Sequence, residues 1–92
     1  MSILALYRIS LTEHERDWGQ RPDGYIFTMS REDAQEYIKE CLDSMPKDYV
    51  PDCYISCSDP ELFEFKTLEE YTDMVCKIIK NREIGRNFYW TK

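Results

Sequence analysis

Apolar and polar positions alternate from the first residues. Ile3, Ala5, Tyr7 and Ile9 share one side of an extended chain, and Leu4 and Leu6 share the other. Apolar residues on both sides mark a strand covered on both faces. From Thr12 to Gly24 the pattern is polar, interrupted by Gly19, Pro22 and an Asp23-Gly24 turn signal, and it reads as a long connection with Trp18 alone inside it. Tyr25 to Met29 predicts a second strand. Ser30 then caps a helix with Asp33 three residues on, and Ala34, Tyr37, Ile38, Cys41, Leu42 and Met45 form its apolar stripe before Pro46.

Two further strands and a second helix follow, with no internal repeat in the sequence. Cys53 to Cys57 alternates and predicts a strand with Cys53, Ile55 and Cys57 inward. Ser58-Asp59-Pro60 is a turn, and Leu62 to Lys66 predicts an edge strand, since Glu64 and Lys66 share a face. Thr67 and Glu70 form a capping box for a helix that turns Leu68, Tyr71, Met74, Val75, Ile78 and Ile79 inward and ends at Ile84-Gly85. Phe88, Tyr89 and Trp90 make an aromatic tail that either closes the sheet as a strand or meets a partner. The order β-β-α-β-β-α plus a C-terminal strand or tail predicts an α+β fold. The expected form is a mainly antiparallel four- to five-stranded sheet with two helices packed on one face. At 92 residues, this is expected to be one domain over 1–92.

Composition excludes some classes and sharpens others. The chain is 42% hydrophobic and 14% aromatic, far from the signature of disorder. No stretch approaches the roughly 20 apolar residues of a membrane span. No basic leader precedes Ile3 to Leu6 and no small-residue cleavage site follows, so a signal peptide is not expected. The four cysteines, Cys41, Cys53, Cys57 and Cys76, are then expected to be reduced core residues in a cytosolic protein.

Net charge is −6, and its distribution says more than its size. Residues 1–31 balance at zero, residues 32–73 carry thirteen acids against Lys39, Lys47 and Lys66 for a net −10, and residues 74–92 carry +4. Within the acidic centre, Glu32, Glu36, Glu40 and Asp43 recur at i, i+4, i+8 and i+11 on the first helix. At about 100° per residue they fall in a stripe about 80° wide, opposite the apolar face, with neighbours about 6 Å apart along the axis. Glu64, Glu69, Glu70 and Asp73 extend the acidity. A charged stripe is commonly just a solvated face; here it also suits a row of carboxylates standing in for DNA phosphates against a basic cleft.

Catalytic chemistry has little to build on. His14, the only histidine, lies between Glu13 and Glu15 in the polar connection and is expected to be an exposed loop residue. No phosphate-binding glycine loop occurs, and the cysteine spacing lacks the paired set of a structural zinc site. No catalytic residue, metal or cofactor is expected, and the acidic centre argues against direct nucleic-acid binding. Trp18, Phe88, Tyr89 and Trp90 are candidates for a partner contact or a homodimer contact.

From MSILALYRIS through SREDAQEYIKECLDSM to NREIGRNFYW, the full length, acidity and run of the chain resemble the Arn-type early proteins of T-even bacteriophages. These are anti-restriction proteins directed against the modified-cytosine endonuclease McrBC. The resemblance implies a non-enzymatic inhibitor acting in the host cytoplasm as a DNA mimic. It would occupy the DNA-binding surface of a restriction endonuclease or of a nucleoid protein such as H-NS. The alternative is an interaction module that binds through Trp18 and the aromatic tail without mimicry.

Overall fold

The computed structural model describes residues 4–92, so Ile3 lies outside the described residues. The element order is β1 (Ala5–Glu15), β2 (Gly19–Thr28), α1 (Arg31–Asp43), β3 (Cys53–Cys57), β4 (Glu61–Glu64), α2 (Leu68–Arg82) and β5 (Tyr89–Thr91). All pairings are antiparallel, in one five-stranded sheet. β1 pairs β2 along one side; along its other side it pairs β3 over Leu11–Glu15 and β4 over Ala5–Arg8. β5 closes the far side against Tyr25–Phe27. The aromatic tail is therefore a closing strand, and the α+β class with a five-stranded antiparallel sheet and two helices is the observed one.

One feature of the arrangement differs from expectation: the two helices do not share a face. Ile9, Leu11 and Ile26 pack with Ala34, Tyr37 and Ile38 of α1. Leu6 and Phe27 pack with Ile78, Met74 and Val75 of α2. Ile9 and Ile26 are directly paired, whereas Leu6 and Phe27 hold alternate positions on the same strands, so the clusters lie on opposite sides of the sheet. The apolar residues on both sides of β1 are the sequence cause: a strand between two layers needs two buried faces.

The polar stretch from Thr12 to Gly24 is not a connection but the outer half of a long β-hairpin. Trp18 N–H donates to the Glu15 carbonyl at 3.3 Å, and Gly19 follows at φ 85°, a three-residue turn closed by a left-handed residue. Asp23-Gly24 is not the turn. Leu11 pairs Gly24 and Thr12 pairs Pro22, which leaves Asp23 as the extra residue of a bulge. Polarity is tolerated because this ribbon projects beyond the helices; the molecule measures 46 × 26 × 21 Å. Cross-strand ions replace apolar alternation: Arg21 sits opposite Glu13, bonding it at 3.0 Å and Glu15 at 3.1 Å. The guanidinium holds the Glu13 carboxyl below its usual range, and Glu13 in turn raises Arg21.

Both helix starts follow their sequence signals: Ser30 Oγ accepts from Asp33 N–H and Thr67 Oγ1 from Glu70 N–H, each at 3.1 Å. Several apolar positions are less covered than their periodicity implies. Leu42, Leu68 and Ile79 are exposed, as are Cys53 and Ile55 of β3. The sheet edge at β3 and the outer ends of the helices have nothing packed over them. β4 lies at an edge as expected, although its pairing runs over Glu61–Glu64 rather than to Lys66.

Gly24 fixes how β5 docks. Its φ is 109°, and a Cβ there would meet the Thr91 carbonyl oxygen at 2.5 Å. Gly24→Ala is expected to destabilise the fold by about 2 kcal/mol or more, combining backbone strain with displacement of β5. Chemical denaturation checks this, and an unchanged midpoint would contradict the placement of β5.

Candidate partner-binding surfaces

α1 positions the acidic row. Its apolar side is drawn onto Ile9, Leu11 and Ile26, which forces the opposite side outward. Glu32, Glu36, Glu40 and Asp43 are all exposed. Among the described residues no lysine or arginine lies within ion-pair distance of any of them, nor of Glu64, Glu69 or Glu70. The pairs that do form use other acids: Arg8 with Glu61, Arg16 with Asp52 at 3.1 Å, Lys77 with Asp73 at 3.0 Å and Arg82 with Asp33 at 3.4 Å.

The two helices treat charge differently. α2 has Glu69 and Glu70 in its first turn and Lys80 and Arg82 in its last, as the helix dipole favours. α1 has Glu32 and Asp33 in its first turn but no base in its last, where Glu40 and Asp43 stand instead. Carboxylates there oppose the dipole, and like charges at i, i+4 repel by roughly 0.2–0.5 kcal/mol per pair. The C-terminal half of the row, Glu40 and Asp43, therefore costs α1 stability.

The eight carboxylates singled out in the sequence do not form one surface. The α1 row lies on one side of the sheet, and Glu64 joins that side because it is paired with Ala5, in step with Tyr7 and Ile9. Glu69, Glu70 and Asp73 belong to α2 on the other side. Asp73 is also spent on Lys77. The basic C-terminal segment is partly neutralised: Arg82 reaches Asp33, and Lys77, besides Asp73, lies 5.3 Å from the Tyr89 ring centre.

The aromatic candidates separate in the same way. Phe88 meets Tyr37 edge-to-face at 4.8 Å, and Tyr89 packs into the α2-side core, so both serve the fold. Trp90 is 45% exposed, with its indole N–H donating to the Asp23 carbonyl at 3.2 Å. Trp18, at the hairpin tip, is 86% exposed. It borders a cavity of about 190 Å³ with Glu13, Glu15 and Arg21.

His14 is not a loop residue. It is in β1 opposite Tyr54, stacked on that ring at 4.6 Å, with Nε2 2.7 Å from Ser56 Oγ. Glu13 and Glu15 flank it in sequence but point to the opposite face of the strand, so neither carboxylate orients the imidazole. The contact is a cross-strand clasp between β1 and β3. Sequence spacing offered no sign of it, because Ser56 lies 42 residues away. No group of three metal-ligating side chains converges among the described residues. Among them, too, no helix is long and apolar enough to cross a membrane.

The cysteines are not all in the core. Cys41 and Cys57 are half-buried, whereas Cys53 and Cys76 are exposed. Burial, reinforced by neighbouring Cys41, pushes the Cys57 thiol up to about 12. Burial likewise raises Tyr37, which adjoins both thiols. With a maleimide at neutral pH, Cys53 and Cys76 are expected to react first and Cys57 last; mass spectrometry of partially labelled protein checks the order. Both raised groups ionise more easily in the unfolded chain. Their contribution to stability is complete below pH 9, the ordinary value of the thiol, and is lost as pH rises towards 12.

No family model, curated protein or solved structure matches the chain.

Proposed function

We propose that the chain is a non-enzymatic DNA mimic that occupies the DNA-binding surface of a host protein. The observation that carries this reading is the α1 row: four exposed carboxylates with no cation within pairing distance among the described residues. Over the eleven residue steps from Glu32 to Asp43 the row spans about 16 Å, one charge per about 5.5 Å. One strand of B-DNA carries a charge per about 3.4 Å of axis, so the row has roughly 60% of that density. A cleft lined with lysine and arginine would gain from the row much of what it gains from phosphates.

The resemblance to the T-even anti-restriction proteins supplies the targets: the endonuclease McrBC or a nucleoid protein such as H-NS, met in the host cytoplasm. A homodimer would present two such rows. Only the α1 side, with Glu64 at its margin, enters this reading; Glu69, Glu70 and Asp73 face the other way. Titration against purified McrBC and H-NS at increasing salt tests it. Affinity is expected to fall steeply between about 50 and 200 mM salt. A salt-independent affinity, or none for either protein, would sink it.

One observation favours a second reading, an interaction module without mimicry: the exposure of Trp18 at the tip of a projecting hairpin. Trp18→Ala would then abolish binding while Glu36→Lys leaves it intact. Mimicry predicts the reverse order.

A further inference from the structure

Edges of a sheet expose unpaired backbone groups, and most of the edges here are blunted. β4 carries Glu61 and Glu64, the open part of β2 contains Pro22 and the bulge at Asp23, and β5 is three residues long. β3 has none of these devices. Its five residues, Cys53–Cys57, include no charge, proline or glycine, and it is the outermost strand on its side.

The register shows which of its groups are free. Ser58 N–H donates to the Ser10 carbonyl and Arg16 N–H to the Asp52 carbonyl, each at 2.9 Å. In an antiparallel ladder such pairs alternate, so Tyr54 and Ser56 also aim their backbone groups at β1. Cys53, Ile55 and Cys57 aim theirs outward, beyond the sheet. The His14–Tyr54 stack and the His14–Ser56 hydrogen bond hold this register on the inner side.

Beside the edge, on the α1 side, lies a groove of about 470 Å³ lined by Leu11, Tyr37, Met45, Cys53, Ile55 and Trp90, among others. Ile55 is 43% exposed at its rim. The chain flanking the edge is acidic: residues 47–59 carry Asp48, Asp52 and Asp59 against Lys47 alone, a net −2. Among the described residues Asp48 and Asp59 have no cation within pairing distance.

We infer that β3 accepts an extended, apolar-centred and basic-flanked peptide segment of a partner protein as an added strand. The outward groups of Cys53, Ile55 and Cys57 supply main-chain hydrogen bonds, the groove takes alternate side chains, and the carboxylates select lysine or arginine at the ends. This surface adjoins α1 through Tyr37 and Cys41, and it does not depend on DNA mimicry.

The test uses the full chain and a short synthetic peptide alternating valine and threonine with lysines at both ends, followed by amide NMR and hydrogen exchange. The inference expects the peptide to protect the amides of Cys53, Ile55 and Cys57, while those of Tyr54 and Ser56 are protected already. A version ending in glutamates should bind at least about tenfold more weakly. Ile55→Pro removes one outward N–H without touching the β1 ladder, so it should abolish the response while leaving the remaining spectrum folded. The chain with Glu69 and Glu70 reversed to lysine, across the sheet, should bind the peptide as the wild type does. Protection elsewhere, or equal binding by Ile55→Pro, would overturn the inference. So would outward amides already protected in a free chain that elutes at twice its mass, since a second copy would then hold the edge.

Discussion

Reversing Glu32, Glu36 and Glu40 together to lysine is expected to lower affinity for the proposed partner, a host DNA-binding protein, by more than about a hundredfold. If each carboxylate contributes about 1 kcal/mol against a basic surface, three losses make about 3 kcal/mol, and new repulsion adds to that. The fold should survive. All three positions are exposed on α1, and α1 docks through Ala34, Tyr37 and Ile38 on its other side. The neutral variant Glu36→Gln separates binding from folding more finely. It removes two like-charge contacts, with Glu32 and Glu40, so it should raise thermal stability by a few tenths of a kcal/mol while weakening binding. Calorimetry on the same samples reads both quantities. Reversing Glu69 and Glu70 to lysine is the control, since those residues lie across the sheet, and it should leave affinity within about threefold. If the α2 reversal matched the α1 reversal, binding would follow net charge and not the row.

Ile78→Ala is expected to be the most damaging single substitution for stability, at about 2–5 kcal/mol. Ile78 is the one buried residue of α2, fully enclosed against Leu6 and Phe27. Its neighbours Met74, Val75 and Tyr71 are only half-buried, so little else ties the helix down. A chain of 92 residues has roughly 5–14 kcal/mol in total, so the loss is a large share. The melting temperature should drop by roughly 10–20 °C. Ile9→Ala, in the α1-side cluster, should cost a similar amount. The two losses should be close to additive, because the residues belong to clusters on opposite faces. Strong coupling between them would contradict a sheet lying between two separate layers.

The helices and their caps were legible in the sequence because Ser30 and Thr67 announce themselves locally and the apolar stripes have the helical period. β3 was legible to the residue, since its alternation is bounded by turn residues on both sides. The hairpin was not. From Thr12 to Gly24 neither face is buried by a helix, so nothing requires apolar alternation, and the ordering comes from Glu13–Arg21–Glu15 and from the turn at Gly19. The placement of the helices could have been inferred from β1, whose two apolar sides need two covers; element order alone pointed to one face. The α1 row was readable from spacing. That its carboxylates are free, and that those of α2 belong to another surface, depended on tertiary pairing between residues as distant as Arg82 and Asp33. The His14–Ser56 clasp and the open edge of β3 are likewise consequences of register, which no single segment of sequence encodes.

The most direct test of the central claim is a competition. A labelled DNA duplex bound to H-NS or McrBC is titrated with the chain at low salt, and anisotropy reports the duplex. If the chain takes the place of DNA, the duplex is released fully and the apparent affinity weakens in proportion to the DNA present. A ternary complex, with the duplex still bound while the chain saturates its partner, would contradict the account.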